Sequence, residues 1–133
     1  MDYNKFCSEI IKSNPKIRFA GVYNTISGEI YYKMQEGIKK IFTDQQTKDS
    51  LIHGYARWKT RLHSSELIGT PIYTMTKYPK INRLTMPCGE KGILMISTEP
   101  DLEPFKIIDD VCKLREKYAD PEDYETEPRQ LNF

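Results

Sequence analysis

Apolar side chains near the start of the chain recur with the period of an α-helix. They lie at positions 3, 6, 7, 10 and 11, and spacings of three and four residues place them on one helix face. Asp2 precedes this stripe as a favourable N-cap, and Pro15 follows it, which disfavours helical backbone in the residue before. We therefore predict an amphipathic helix over residues 3–11.

Two strands joined as a hairpin are predicted next. Residues 17–24 and 28–34 are rich in β-branched and aromatic side chains, which is typical of strands. Residues 25–27 separate them, and Gly28 suits the positive φ that a tight turn requires. The two strands are expected to be adjacent and antiparallel.

A second, longer helix is predicted over residues 44–66. Thr43 and Gln46 have the spacing of a capping box, in which each side chain accepts a hydrogen bond from the backbone N–H of the other residue. Apolar residues then recur within about 40° of arc at about 100° per residue, which indicates a core-facing stripe. The stripe comprises Leu51, Tyr55, Trp58 and Leu62.

The rest of the chain predicts a three-stranded meander and a final helix. The strands are 71–78, 80–87 and 91–98, with a corner at 78–80 and a turn at 88–90. Residues 93–96 are apolar without alternation, as in a strand covered on both faces. Pro104 at a first helical position predicts a helix that continues to about residue 118. Its inward-facing residues are Ile107, Ile108, Val111, Cys112, Leu114 and Tyr118.

The resulting order, α-β-β-α-β-β-β-α, predicts an α+β fold with a five-stranded, mostly antiparallel sheet and helices on both faces. The 133 residues suffice for one domain, and 38% of them are hydrophobic and 29% charged. No apolar run approaches the length of a membrane helix, so composition excludes an integral membrane protein and a disordered chain. We predict one domain over residues 1–118 and no membrane partner.

Charge is distributed unevenly along the chain. The formal net charge is only +1, which gives no global field to recruit nucleic acid, so nucleic acid is not an expected partner. Residues 119–133 hold five acidic side chains and one Arg. Because this segment has few large apolar residues to offset its ordering entropy, we predict that it is an acidic, flexible tail.

The cysteines and histidines give no metal or cofactor site. Cys7, Cys88 and Cys112 are widely separated and odd in number, so they form neither a disulfide framework nor a CxxC motif. His53 and His63 would lie about 15 Å apart along a helix, too far to share a metal. With an acid at position 2 and no apolar signal region, we expect a cytoplasmic protein without cofactors.

The pattern of elements resembles the Roadblock/dynein light chain family over about residues 3–118. The resemblance rests on residues 19–24 leading through Gly28 into a second strand, on the central helix, and on the meander over residues 73–98. It implies the strand order second, first, fifth, fourth, third, with the first and last helices on one face and the central helix on the other. It also implies homodimers that join central helices and third strands, and service as regulators or scaffolds beside small GTPases. Profilin-like and PAS-like folds share parts of this plan, so fold alone does not fix function.

Three short motifs also resemble small archaeal proteins that have no known activity. They are KIRFAGVY at 16–23, Arg57-Trp58, and STEPD at 97–101. The long connection over residues 35–42 and the acidic tail depart from the short Roadblock pattern. These departures leave the identity of any partner open.

A sheet edge and a helix surface are the candidates for a homodimer interface. The third strand would lie at an edge with unpaired backbone groups, where only Lys77 would discourage pairing. A shoulder of the central helix beside its core stripe is available to a partner helix. The predicted interface comprises Ile52, Ala56, Lys59, His63, Tyr73, Thr74 and Met75. The alternative is a monomer whose edge is shielded by Pro71, Pro79 and local loops.

A basic ridge on the same helix is the candidate surface for another protein. His53, Arg57 and Arg61 recur every four residues, and like charges so placed repel slightly unless something anionic lies opposite. We predict that this ridge binds an acidic or signalling partner, for which the resemblance implies a small GTPase. The alternative is a solvated helix face.

Two other function classes stay open. A PAS-like sensor would hold a small apolar or aromatic ligand between sheet and helix. Its candidate residues are Phe19, Tyr23, Tyr32, Trp58, Tyr73, Met75 and Met95. A cysteine-dependent enzyme would use Cys88, expected in an exposed turn, with His63 as its base. Because no catalytic pattern supports the enzyme, we predict a non-catalytic interaction module.

Overall fold

Five antiparallel strands form one sheet. The computed structural model describes residues 1–119. The strands are β1 (Ile17–Asn24), β2 (Ile30–Met34), β3 (Thr74–Lys77), β4 (Asn82–Cys88) and β5 (Gly92–Thr98). Their order across the sheet is β2-β1-β5-β4-β3, and each neighbouring pair is antiparallel. The predicted fold class and strand order are confirmed, whereas the predicted acidic tail lies outside the described residues except for Ala119.

Helices cover both faces of this sheet. They are α1 (Tyr3–Ser13), α2 (Asp44–Arg61), α3 (Ser65–Ile68) and α4 (Pro104–Tyr118), with a 3₁₀ turn at Leu62–Ser64 between α2 and α3. Helices α1 and α4 contact each other, while α2 contacts β1 and β5. The two-sided arrangement agrees with the prediction.

The face under α1 and α4 holds the larger part of the core. Asp2 caps α1, because its Oδ1 accepts a hydrogen bond from the Lys5 N–H at 3.1 Å. The predicted stripe of α1 is buried and joins side chains of α4, β4 and β5 in one apolar cluster. Members of that cluster include Phe6, Ile10, Leu84, Leu94, Ile96, Ile107 and Val111.

The face under α2 is covered by this helix and by part of the loop that precedes it, where Ile41 and Phe42 lie near Met95 and Arg83. The predicted capping box forms: the Gln46 N–H donates to Thr43 Oγ1 at 3.1 Å, and the Thr43 N–H donates to Gln46 Oε1 at 2.9 Å. Leu51 and Trp58 are buried as predicted. Tyr55 is only half-buried, since Gly54 occupies the position of α2 that presses on the sheet at Met95.

Strand β5 lies at the centre of the sheet and is covered on both sides. Residues 93–96 are all buried, as their continuous apolar run predicts. Leu94 and Ile96 belong to the cluster under α1 and α4, whereas Met95 packs under α2. Alternate side chains of one strand therefore support two separate helix layers.

Two predicted elements differ from those observed by more than two residues in length. The helix predicted over residues 44–66 is α-helical only to Arg61, after which the 3₁₀ turn and α3 carry the chain to Ile68. The strand predicted over residues 71–78 shortens to Thr74–Lys77. At its far end the Tyr78 N–H donates to the Ile81 carbonyl at 2.9 Å, which closes the turn before β4.

Gly54 generates a prediction about packing between α2 and β5. A Cβ at this position would lie 2.3 Å from Met95 Sδ, inside contact distance in a buried layer. We expect Gly54→Ala to lower the free energy of unfolding by about 1–3 kcal/mol through overpacking, although alanine normally favours a helix over glycine by about 1 kcal/mol. Urea unfolding followed by circular dichroism measures the change.

The control is the same substitution in a Met95→Val background. Valine removes the crowding sulfur, so Gly54→Ala should then become neutral or stabilising. The same loss of stability in both backgrounds would show that the sulfur is not the cause.

Candidate functional site

Strand β3 is an open edge of the sheet. It pairs with β4 on one side only, with Thr74 opposite Thr85 and Met75 opposite Leu84. On its other side, no strand within residues 1–119 pairs with it. Edge strands leave part of their backbone N–H and C=O groups directed outward, where another strand can pair with them.

Lys77 is the residue that the sequence predicts to discourage pairing at this edge. Its Nζ donates to the Pro100 carbonyl at 2.9 Å and lies 3.3 Å from Asn82 Oδ1. Both acceptors belong to the sheet side of the strand rather than its outer edge. The loop that follows β5 therefore holds the ammonium group, while Lys77 as a whole is exposed, and its role at the edge stays a prediction.

A run of exposed apolar side chains leads into the edge strand. Leu67 and Ile68 are 90% and 83% exposed, and Met75 within β3 is 40% exposed. Others in the same stretch are Ile72, Tyr73 and Tyr78. Large apolar side chains grouped in this way on a surface indicate an interaction site. Leu67 and Ile68 were not among the predicted interface residues, although they form an apolar pair just after the core-facing stripe of the helix ends.

The exposed surface of α2 has two flanks. On the β4 flank, Ser50 adjoins Tyr78 and Ile81. On the β1 flank, the Tyr55 and Tyr23 rings lie 5.4 Å apart and Lys59 Nζ is 5.3 Å from the centre of the Tyr55 ring. Because β3 neighbours β4 and not β1, the flank of Ser50 is the one nearer the open edge.

The predicted site residues of α2 are divided between its surfaces. Arg57 lies near Arg83 of β4. Burial lowers the pKa of the Arg83 guanidinium, and Tyr78 opposes that shift. The positive charge of Arg57 lowers the pKa further. Lys59 lies on the opposite flank over Tyr55. The other predicted residues of this region, which are Ile52, His53, Ala56, Arg61 and His63, are all exposed.

The aromatic residues proposed for a PAS-like ligand do not surround one cavity. Phe19 pairs with Tyr32, with ring centres 5.6 Å apart, and Tyr23 pairs with Tyr55. Trp58 and Met95 are buried in the packing of α2. Tyr73 and Met75 lie instead at the exposed end of the sheet. Of the seven residues, only Phe19 and Met95 line one small recess, and the other five lie outside it.

Cys88 is not the exposed thiol that the sequence predicted. It is fully buried at the end of β4 and belongs to the apolar cluster under α1 and α4. His63 lies in the 3₁₀ turn that follows α2, on the opposite face of the sheet. Alternation along β4 turned the thiol inward, so the two groups are separated by the sheet and cannot act as nucleophile and base.

Within residues 1–119, no three His, Cys, Asp or Glu side chains are placed to hold a metal ion. In the same range, no helix is long and apolar enough to cross a membrane.

The fold is that of Roadblock/LC7 domains, which confirms the resemblance at the level of architecture. A Roadblock/LC7 domain from Streptomyces avermitilis is similar at 7% identity, with 88% of this chain and 94% of that chain covered and a TM-score of 0.70. Myxococcus xanthus MglB is similar at 10% identity, with coverages of 88% and 91% and a TM-score of 0.70. A structure of MglB with a tetrameric arrangement is similar at 10% identity, with coverages of 86% and 88% and a TM-score of 0.56. No family model and no curated protein sequence matches the chain.

Burial of the thiols generates a prediction about alkylation. Burial raises the pKa of the Cys7 thiol from 9.0 to about 12, with Lys33 opposing the shift. The thiolate fraction of Cys7 at pH 8 is therefore about a thousandfold lower than that of an ordinary cysteine. We expect iodoacetamide to modify half-buried Cys112 first and to leave Cys7 and Cys88 unmodified in the folded protein. Peptide mass mapping checks this, and unfolding in urea should make all three reactive. Rapid modification of Cys88 in the folded protein would contradict the burial described above.

Proposed function

We propose that this protein is a non-catalytic interaction module that acts as a homodimer in GTPase-linked regulation. The observation that carries the proposal is the open edge of β3 beside the exposed apolar stretch over residues 67–78. The Roadblock/LC7 fold supports it, since the family resemblance implies homodimers and regulatory or scaffolding roles beside small GTPases.

Two copies related by a two-fold axis fit this edge. Antiparallel pairing of β3 with its own copy would join two five-stranded sheets into one, and a two-fold interface uses the same residues from each copy. Tyr73, Thr74 and Met75 would lie at its centre. Exposed apolar side chains next to the strand would lose contact with water, which is the main favourable term in such association.

Helix α2 supplies the second part of the proposed interface. The sequence predicts Ile52, Ala56, Lys59 and His63 as the contact with the partner helix, but Lys59 lies on the β1 flank, away from β3. Ser50 and Arg57 lie on the flank nearer β3, so a dimer centred on the edge would bring this basic flank of each copy toward the other. Bringing the positive charges of the two copies together costs free energy. An acidic partner that binds both copies would offset this cost.

The dimer prediction is tested at the edge strand. We expect the double variant Tyr73→Lys, Met75→Lys to weaken dimerisation by about a hundredfold or more, because four extra positive charges would meet at the two-fold axis. Both residues are exposed in the single chain, so the variant should fold normally. Size-exclusion chromatography with light scattering distinguishes 15.6 kDa per chain from twice that mass.

Ile26→Lys is the matched control, because Ile26 is 77% exposed in the β1–β2 turn at the far side of the sheet. This variant should dimerise like the unmodified protein. A strict monomer at tens of micromolar before any substitution would overturn the homodimer. A dimer that persists in the double variant would overturn the edge as its interface.

The basic ridge provides the test of the partner. We expect Arg57→Glu, Arg61→Glu to weaken binding of a small GTPase from the same organism by about tenfold or more, and more strongly at low salt. Biolayer interferometry against the GDP-bound and GTP-analogue-bound forms measures the affinity. Lys106→Glu, Lys113→Glu on α4 gives the same charge change on the other face. Equal loss in the two double variants would show a general charge effect and contradict a role for the ridge.

A further inference from the structure

A cleft beside the N-terminal half of α2 carries chemistry that the proposed function does not use. Its volume is about 450 Å³, and it lies between the loop that precedes α2 and the turn that joins β3 to β4. Residues that line it include Ile41, Phe42, Tyr78, Lys80, Ile81 and Arg83. A recess of about 40 Å³ lined by Ile41, Phe42, Ile81 and Arg83 continues it inward toward β1 and β5.

Arg83 is the central polar side chain of this cleft. It stands on β4 opposite Thr76 of β3 and Ser97 of β5. Its guanidinium carbon lies 5.6 Å from the centre of the Phe42 ring and 5.7 Å from the centre of the Tyr78 ring. Two aromatic rings therefore fix the position of a half-buried cation.

The other half-buried arginines show what Arg83 lacks. Arg18 pairs with Glu99 at 2.6 Å and donates to the Lys39 carbonyl at 2.7 Å. Arg115 donates to the Pro87 carbonyl at 2.8 Å. Within residues 1–119, by contrast, neither a carboxylate nor a carbonyl accepts a hydrogen bond from the Arg83 guanidinium. Partial burial of a cation without an anionic partner costs free energy, which an incoming anion would recover.

The charged side chains that line the cleft in the described part of the chain are basic. Lys80 lines it and Arg57 lies close enough to act on Arg83, whereas neither Asp nor Glu lines it in the described part of the chain. The nearby Asp44 is already paired with Lys40 at 2.6 Å. The remaining walls are mostly apolar, so the cleft favours an anionic group joined to an apolar body.

We propose that the Arg83 cleft binds a small organic anion, with its carboxylate or phosphate on the Arg83 guanidinium and its apolar body against Ile41, Phe42 and Ile81. The volume lies within the range of about 300–1,000 Å³ that is usual for small-molecule sites. A planar guanidinium accepts either anion in a two-pronged hydrogen bond. The proposal does not depend on the dimer or its partner, although the cleft shares Tyr78 with the exposed apolar stretch and lies near Arg57 of the basic ridge.

The test uses a fluorescent organic anion and its neutral analogue. 1-Anilinonaphthalene-8-sulfonate carries the charge, and N-phenyl-1-naphthylamine has the same rings without it. We expect the folded protein to bind the anion at least about tenfold more tightly than the neutral probe, as a charged hydrogen bond implies. Displacement by 1-naphthoate or 1-naphthyl phosphate identifies which head group the cleft prefers.

Three variants locate the binding. Arg83→Gln should weaken binding of the anion by about tenfold or more and leave binding of the neutral probe nearly unchanged. Ile41→Glu, at a position 46% exposed to solvent, should block the anion by supplying a carboxylate to Arg83. Lys106→Gln removes one charge from α4 and should change nothing. Circular dichroism establishes that each variant is folded.

Several results would overturn the proposal. One is equal affinity for the two probes in the unmodified protein, which would indicate apolar adsorption. Another is binding of the anion that survives both Arg83→Gln and Ile41→Glu. Failure of both naphthyl anions to displace the probe would also count against the site. If Arg83→Gln does not fold, Ile41→Glu and the comparison of the two probes still show whether the anion binds in the Arg83 cleft.

Discussion

The structure depends on one strand that is buried from both sides. In β5, Leu94 and Ile96 face the layer of α1 and α4 while Met95 faces α2. Each helix layer therefore packs against the same four-residue stretch of β5. A substitution that shifts this strand on one face also disturbs the packing on the other face, because both faces share one backbone. Gly54 lies in a helix interior, where glycine is otherwise unfavourable, and a Cβ there would come within 2.3 Å of Met95 Sδ, so that Met95 would have to move.

The two faces of the sheet are covered to different extents, and part of one face is left exposed. The layer with α1 and α4 holds most of the fully buried apolar side chains. The other layer has one helix, whose buried residues are only Thr47, Leu51, Gly54 and Trp58. Because α2 is narrow relative to the sheet, it leaves β3 and the start of β4 uncovered. The open edge of β3 and the Arg83 cleft lie in this uncovered region, whereas Met75 faces the layer of α4, next to Leu84 and Ile107.

The helices and strands that depend on local signals could be predicted from the sequence. Features that depend on contacts between residues distant in the chain could not. Asp2, Thr43 with Gln46, and the apolar run of β5 each act over a few residues, so the elements they define were predicted closely. Cys88 was assigned to an exposed turn because its burial depends on α1, which is remote in sequence. The Arg83 cleft could not be seen at all, since Phe42, Tyr78 and Arg83 meet only after β3 and β4 pair. The contact of Lys77 with the Pro100 carbonyl also could not be predicted, because the two residues are 23 positions apart in the chain.

The sheet has a second edge, which has a consequence for higher assembly. Strand β2 ends the sheet on the other side, and each edge strand carries an exposed lysine, Lys33 in β2 and Lys77 in β3. The proposed two-fold pairing would use the β3 edge of both copies and leave only their β2 edges at the ends of the joined sheet. Under that proposal, any further growth of the sheet would have to proceed through β2.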